Sequence, residues 1–144
     1  MNSPLCRWPQ VALLAAVLNG CAGETLEVEY DTFAVAKQAG AVHRGWLPDW
    51  LPENSRRIRE RHNLDTNARM WLAEVPLNVE VSLPANCTTA QGKELPRAPF
   101  ETQWWPPDVP RQSAAIEPFI FFRCGSEFIG LAAKGGKLIG WSPG

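Results

Sequence analysis

Residues that ordinarily carry out chemistry are scarce in this sequence. It contains two histidines, His43 and His62. It has no G-x-S-x-G elbow, no H-E-x-x-H pair, no phosphate-binding loop and no G-x-G-x-x-G following a strand. No catalytic residue, cofactor or metal ligand is therefore assigned by motif. Charge of one sign is not in excess either, with 14 basic against 15 acidic side chains. Such a balance gives no reason to expect nucleic acid or an anionic membrane surface as a partner. No apolar run approaches the ~20 residues that a membrane-spanning helix needs. There is no internal repeat and no low-complexity tail.

The first residues carry a clear signal. Arg7 precedes the apolar run Val11–Leu18, which ends at Asn19-Gly20-Cys21. A charged start, a short apolar stretch and a small residue before a cut describe an export signal, and Pro9 prevents the run from extending backwards as a helix. Leu18-Asn19-Gly20-Cys21 resembles the lipobox of bacterial lipoproteins, in which the cysteine is acylated and becomes the first mature residue. The expected organisation is a signal peptide over 1–20 and a single domain over 21–144, anchored by lipid, palmitate included, on Cys21. An ordinary secretory cut near Ala22 or Gly23 is the alternative. Several acyl chains at ~0.8 kcal/mol per buried methylene would make the anchor stable. The absence of Asp after Cys21 points, by resemblance to enteric sorting, to the outer membrane facing the periplasm.

Four cysteines are present. Cys6 leaves with the signal and Cys21 takes the lipid, so Cys87 and Cys124 remain. In an oxidising compartment that pair reads as one disulfide. A metal or redox pair is the competing reading and lacks the C-x-x-C spacing.

Along the mature chain, Thr25 to Tyr30 alternates as a half-buried strand, with Leu26, Val28 and Tyr30 on one side. It begins four residues after Cys21, a reach of about 13 Å even when extended, so the domain should sit against its membrane. Asp31 or Thr32 can cap a short helix running to Ala39, with Gly40 ending it and Phe33 and Ala36 facing the core. Ala41 to Arg44 reads as extended. The prolines of Gly45-Trp46-Leu47-Pro48-Asp49-Trp50-Leu51-Pro52 impose a stiff loop. From Arg57, the residues Ile58, Glu60, His62 and Leu64 share one strand parity. Asp65-Thr66-Asn67 is turn chemistry, and Arg69 to Val75 returns as the second strand of a hairpin. Leu77, Val79, Val81 and Leu83 alternate again. Pro84 to Pro118 is a proline-rich connection that a disulfide would pin at both ends. Phe119 to Phe122 reads as a strand covered on both faces, and Gly135-Gly136 marks a C-terminal hairpin between Phe128–Ala133 and Leu138–Trp141.

Tryptophan is the abundant exception, at 7 residues including Trp8 of the signal. Trp71 and Trp141 lie in strand patterns and are expected in the core. Trp46, Trp50, Trp104 and Trp105 lie in proline-rich loops, where indoles either pack or form a recognition surface. Arg59 and Arg61 share a strand face with Arg57, either paired with Glu27 and Glu29 or free to capture an acidic partner. His43, His62 and Asp65 could form a base with its orienter only if the fold gathers them. Asp65-x-Asn67 resembles the start of a calcium loop but lacks the later ligands, and reads as a turn. The candidate binding surface is therefore Trp46, Trp50, Arg59, Arg61, His62, Asp65, Asn67, Trp104 and Trp105.

Gly45-Trp46-Leu47-Pro48, then Leu51-Pro52, then Ile58, Glu60, His62 and Leu64-Asp65-Thr66-Asn67 resemble a group of small bacterial lipoproteins with a YbbD-like head domain. The likeness covers roughly Thr25 to Leu72. Asn63 stands where the group usually has Asp, so no acidic ligand role carries over to that position, and Arg57 and Arg59 replace smaller or neutral residues. The resemblance implies a lipoprotein and an α+β domain, and brings no activity with it.

These readings combine into an α+β domain, a mainly antiparallel sheet with one short N-terminal helix, a C-terminal hairpin and one disulfide. The leading functional expectation is a non-enzymatic envelope lipoprotein that binds a protein or glycan partner near the membrane. An immunity lipoprotein against a secreted toxin is the alternative, and a small hydrolase-like or metal-dependent enzyme comes third.

Overall fold

The computed structural model describes residues 23–107, 109 and 118–144; Cys21 and the expected signal peptide over 1–20 lie outside them. Seven strands form one antiparallel sheet: β1 (Thr25–Thr32), β2 (Arg56–Asn63), β3 (Arg69–Glu74), β4 (Cys87–Ala90), β5 (Phe119–Cys124), β6 (Glu127–Ala132) and β7 (Lys137–Ser142). Their order is β1-β2-β3-β7-β6-β5-β4. The chain lays down one meander, crosses to the far edge, and returns by a second meander whose last strand docks beside β3. The β3–β7 pairing, from Arg69↔Ser142 to Glu74↔Lys137, joins the two halves.

The α+β expectation is overturned. Regular structure is almost all strand, and the short helix α1 (Phe33–Gln38) together with a 3-10 turn at Gly92–Glu94 supplies no helical layer. The physical reason is size: α1 has 6 residues and buries only Phe33 and Ala36. Loops cover the sheet instead. The helix itself forms where expected. Thr32 Oγ1 accepts from Val35 N at 3.3 Å, and Gly40, at φ 81°, takes the left-handed conformation that ends it.

Each face of the sheet has its own core, which strand alternation builds. On the first face Tyr30, Ile58, Trp71, Ala73 and Leu138 meet Phe33, Ala36, Ala41, Leu47 and Leu51 of the α1 segment. On the second face Met70, Leu72, Phe119, Phe121, Ile139 and Trp141 meet Leu95, Phe100, Trp104 and Trp105 of the proline-rich connection. Strand β3 is covered on both sides, so Met70-Trp71-Leu72-Ala73 is buried without interruption. In β7, Gly140 lies opposite Trp71; a Cβ there would come within 2.4 Å of the indole. The glycine is what allows the ring to lie on the neighbouring strand.

Four local expectations are corrected. Ala41–Arg44 is not extended, because Arg44 N bonds Gly40 O and Gly45 N bonds Val42 O, each at 3.0 Å, winding the segment into turns. Leu77–Leu83 forms no strand: Val79 N turns back to Pro76 O at 3.1 Å, while Val81 and Leu83 still pack on the first core. Phe119–Phe122 is not covered on both faces, since Ile120 is 51% exposed where the first-face cover ends. The connection from Pro84 to Pro118 is not wholly irregular, because Cys87–Ala90 pairs with β5 as an edge strand. In that pair Cys87 faces Cys124 directly, and the two form the expected disulfide.

Candidate functional site

Strand β2 directs Ile58, Glu60 and His62 inward, as its parity requires, so a carboxylate and an imidazole lie in the first core at 0% and 2% exposure. A bulge makes this register. Arg57 takes φ 45°, and the pairing with β3 shifts between Arg56 and Arg59. Glu60 Oε2 lies 2.8 Å from His62 Nδ1. Trp46 stacks on the His62 ring with centroids 3.8 Å apart and planes at 16°, and the Arg44 guanidinium lies over Trp46 at 4.8 Å. Arginine, indole and imidazole thus form a column whose inner end is held by Glu60.

Burial pushes the Glu60 carboxyl up from its usual value, while the hydrogen bond and charge of His62 pull it down. Tyr30 beside it is also raised, by burial and then by the Glu60 charge. A buried pair of this kind is least costly when its net charge is zero. Both neutral arrangements, carboxylic acid with imidazole and carboxylate with imidazolium, leave a proton on His62 Nε2. That Nε2 is buried and has no hydrogen-bond partner among the described residues. His62 also lines a cavity of about 70 Å³ with Arg44, Gly45, Trp46, Asn63, Leu64, Asn67 and Arg69.

On the second face β1 and β2 carry a charge ladder. The register sets Glu27 opposite Arg61 and Glu29 opposite Arg59, with ion-pair distances of 3.4 and 3.3 Å. Pairing within the sheet, rather than free arginine, is what the structure shows. Arg61 also donates to the Glu101 carbonyl at 3.3 Å and lies over Phe100 at 5.4 Å. Trp104 Nε1 donates to Glu27 Oε1 at 3.0 Å. Together Glu27, Arg59, Arg61, Glu101, Thr102, Gln103 and Trp104 line an open groove of about 550 Å³.

The nine candidate surface residues therefore do not form one surface. Arg59, Arg61 and Trp104 meet in the groove, and Trp105 stands behind them, edge-on to Trp104 at 6.1 Å and to the buried Trp141 at 5.7 Å. Trp46 and His62 belong to the opposite face. Trp50 packs edge-on to Trp71 at 6.0 Å in the first core. Asp65 and Asn67 sit in the β2–β3 turn, where Asn63 Oδ1 accepts from Asp65 N at 3.0 Å and Thr66 N at 2.9 Å. Asn67, in the left-handed region at φ 57°, lines the small cavity. His43 is exposed, and the partner of His62 is Glu60 rather than Asp65. Sequence reasoning passed over Glu60, Arg44, Arg69 and Glu101. Glu60 alone had a visible signal, a carboxylate two residues before a histidine on the apolar parity of a strand.

No curated protein and no solved structure matches the chain. The part of the sequence that builds β1, α1, the Trp46 loop, β2 and the start of β3, residues 24–71, matches the family model of the YbbD head domain.

Proposed function

We propose that the protein is a lipid-anchored envelope lipoprotein whose sheet domain is a non-enzymatic binding module for an envelope glycan. The observation that carries this reading is the open groove in which a partly buried indole, Trp104, stands beside the planar polar groups of Glu27, Arg59, Arg61, Glu101 and Gln103. Sugar rings present apolar C–H faces and hydroxyl pairs. An indole supports the former, and guanidinium, carboxylate and amide groups bond the latter in a plane. The groove is pre-formed: the ladder of ion pairs and the Trp104–Glu27 bond hold its polar groups in place, which lowers the ordering cost of binding. Its volume of about 550 Å³ lies within the range of small-ligand sites. Anchoring through Cys21, with β1 beginning at Thr25, would hold this groove near the membrane surface and restrict it to envelope ligands.

Two measurements test the parts separately. Fatty-acid labelling in the native host should be blocked by globomycin and lost in Cys21→Ser; labelling that persists in that variant removes the anchor. Titration of the detergent-solubilised lipoprotein with soluble cell-wall saccharides should give saturable heat that Trp104→Ala lowers by at least tenfold. No heat with the parent protein removes the glycan reading.

A further inference from the structure

The groove makes no use of the His62 cavity on the other face. Its lining has an unusual balance: two arginines, a histidine and two asparagines, with no acidic side chain among them. The carboxylates nearby are already engaged, Glu60 with His62 Nδ1 at 2.8 Å and Glu127 with Arg69 at 3.5 Å and with Trp71 Nε1 at 3.0 Å. One donor at the site is nevertheless unspent. His62 Nε2 is buried and makes no hydrogen bond among the described residues, whereas Arg69 Nε is turned to Glu127 Oε1. A buried donor without a partner costs about 1–3 kcal/mol, and a small polar cavity beside it is where its acceptor belongs.

We propose that this cavity, between the Arg44–Trp46 loop and the β2–β3 turn, is a receptor for a carboxylate group, with His62 Nε2–H as its buried donor and the guanidinium groups of Arg44 and Arg69 as its positive lining. The charge complement fixes the class. A cation would face two guanidinium groups and find one imidazole, and among the described residues no group of three or more His, Cys, Asp or Glu is placed to hold a metal. An apolar ligand would leave His62 Nε2 orphaned. The space of about 70 Å³ admits one planar oxyanion group rather than a whole drug-sized ligand, which occupies roughly 300 Å³ or more. The bound group is then a small free acid or the end of a longer molecule, such as a peptide C-terminus. Trp46 and Glu60 position the imidazole, one by stacking and the other by holding Nδ1.

The test is a nuclear magnetic resonance titration of the lipoprotein in detergent, following the His62 ring nitrogens and the Trp46 indole. The probes are acetate, N-acetyl-dialanine with a free C-terminus, and the same peptide amidated. The expected result is a saturable shift of His62 Nε2 with acetate or the free peptide and none with the amide. Binding should weaken about tenfold in Arg44→Gln, the loss of one charge-assisted contact. Acetate acting alone identifies a small-acid site, and a tighter response to the free peptide identifies C-terminus capture. Either result supports the receptor. Arg44 is exposed, so its variant keeps the fold, and the unchanged Trp71 and Trp141 indole signals verify that. No saturable shift at about 100 mM of either acid, equal response to the amide, or full binding by Arg44→Gln would overturn the proposal. Trp104→Ala must leave these shifts unaltered, which separates this site from the groove.

Discussion

Replacing Glu60 in two ways tests how the buried pair is held. In Glu60→Ala, His62 Nδ1 loses its hydrogen-bond partner, at 2.8 Å, inside a ring that is 2% exposed. An orphaned buried donor or acceptor costs about 1–3 kcal/mol, and the one lost methylene adds roughly 0.8 kcal/mol. The expected loss is about 2–4 kcal/mol. Glu60→Gln keeps the shape and a hydrogen-bonding group without a charge, so about 1 kcal/mol or less should be lost. The pH dependence gives an independent check. Burial raises the Glu60 pKa above its usual 4.5, so the folded state retains a proton that the unfolded state has released. The contribution is fully present below 4.5 and is lost as pH rises through the folded value. Glu60→Gln should therefore gain on the parent protein as pH rises from 4.5. Urea denaturation across that range measures both effects. If Gln costs as much as Ala, and the difference from the parent does not change with pH, the pair is held as carboxylate with imidazolium, and the argument that burial keeps the Glu60 proton on is wrong.

Two further predictions concern the scaffold. Gly140→Ala drives a methyl to within 2.4 Å of Trp71, and strand pairing on both sides prevents the backbone from yielding. About 1–3 kcal/mol should be lost, the usual range for overpacking, read as a lower urea midpoint at unchanged slope; a midpoint equal to that of the parent would refute the contact. Opening the Cys87–Cys124 bridge, whose cysteines lie 37 residues apart, should cost about 4 kcal/mol in the chain-entropy model. Reduced and oxidised protein with the same melting temperature would contradict that value.

Alternation made β1 and β2 legible, because one wet or charged face beside one dry face writes a period of two, whereas β3, buried on both faces, was read from the Asp65-Thr66-Asn67 turn that returns the chain. The disulfide could be reasoned out because the other two cysteines were expected in an export signal and at a lipid anchor. The overall class was not legible. A capped apolar segment such as Phe33–Gln38 announces a helix, but nothing in it says that the helix is too short to form a layer. Strand β4 was hidden because a four-residue edge strand with Thr88 and Thr89 exposed lacks a run of apolar residues. The groove was half visible. Arg59, Arg61 and Trp104 stood out by type, yet their meeting depends on the path of the proline-rich connection, which only long-range packing fixes. Trp46 drew attention as a loop indole, and the structure gives it a different role, clamping the imidazole of His62 from the solvent side.

The most direct measurement of the binding account is the Trp104 indole N–H signal during titration with cell-wall saccharides. That proton bonds Glu27 at the floor of the groove. The account predicts a saturable shift there, with smaller ones at Arg59 and Arg61 and none at Trp50 or Trp71. A saccharide that binds without moving the Trp104 signal, or shifts confined to the other face of the sheet, would contradict it.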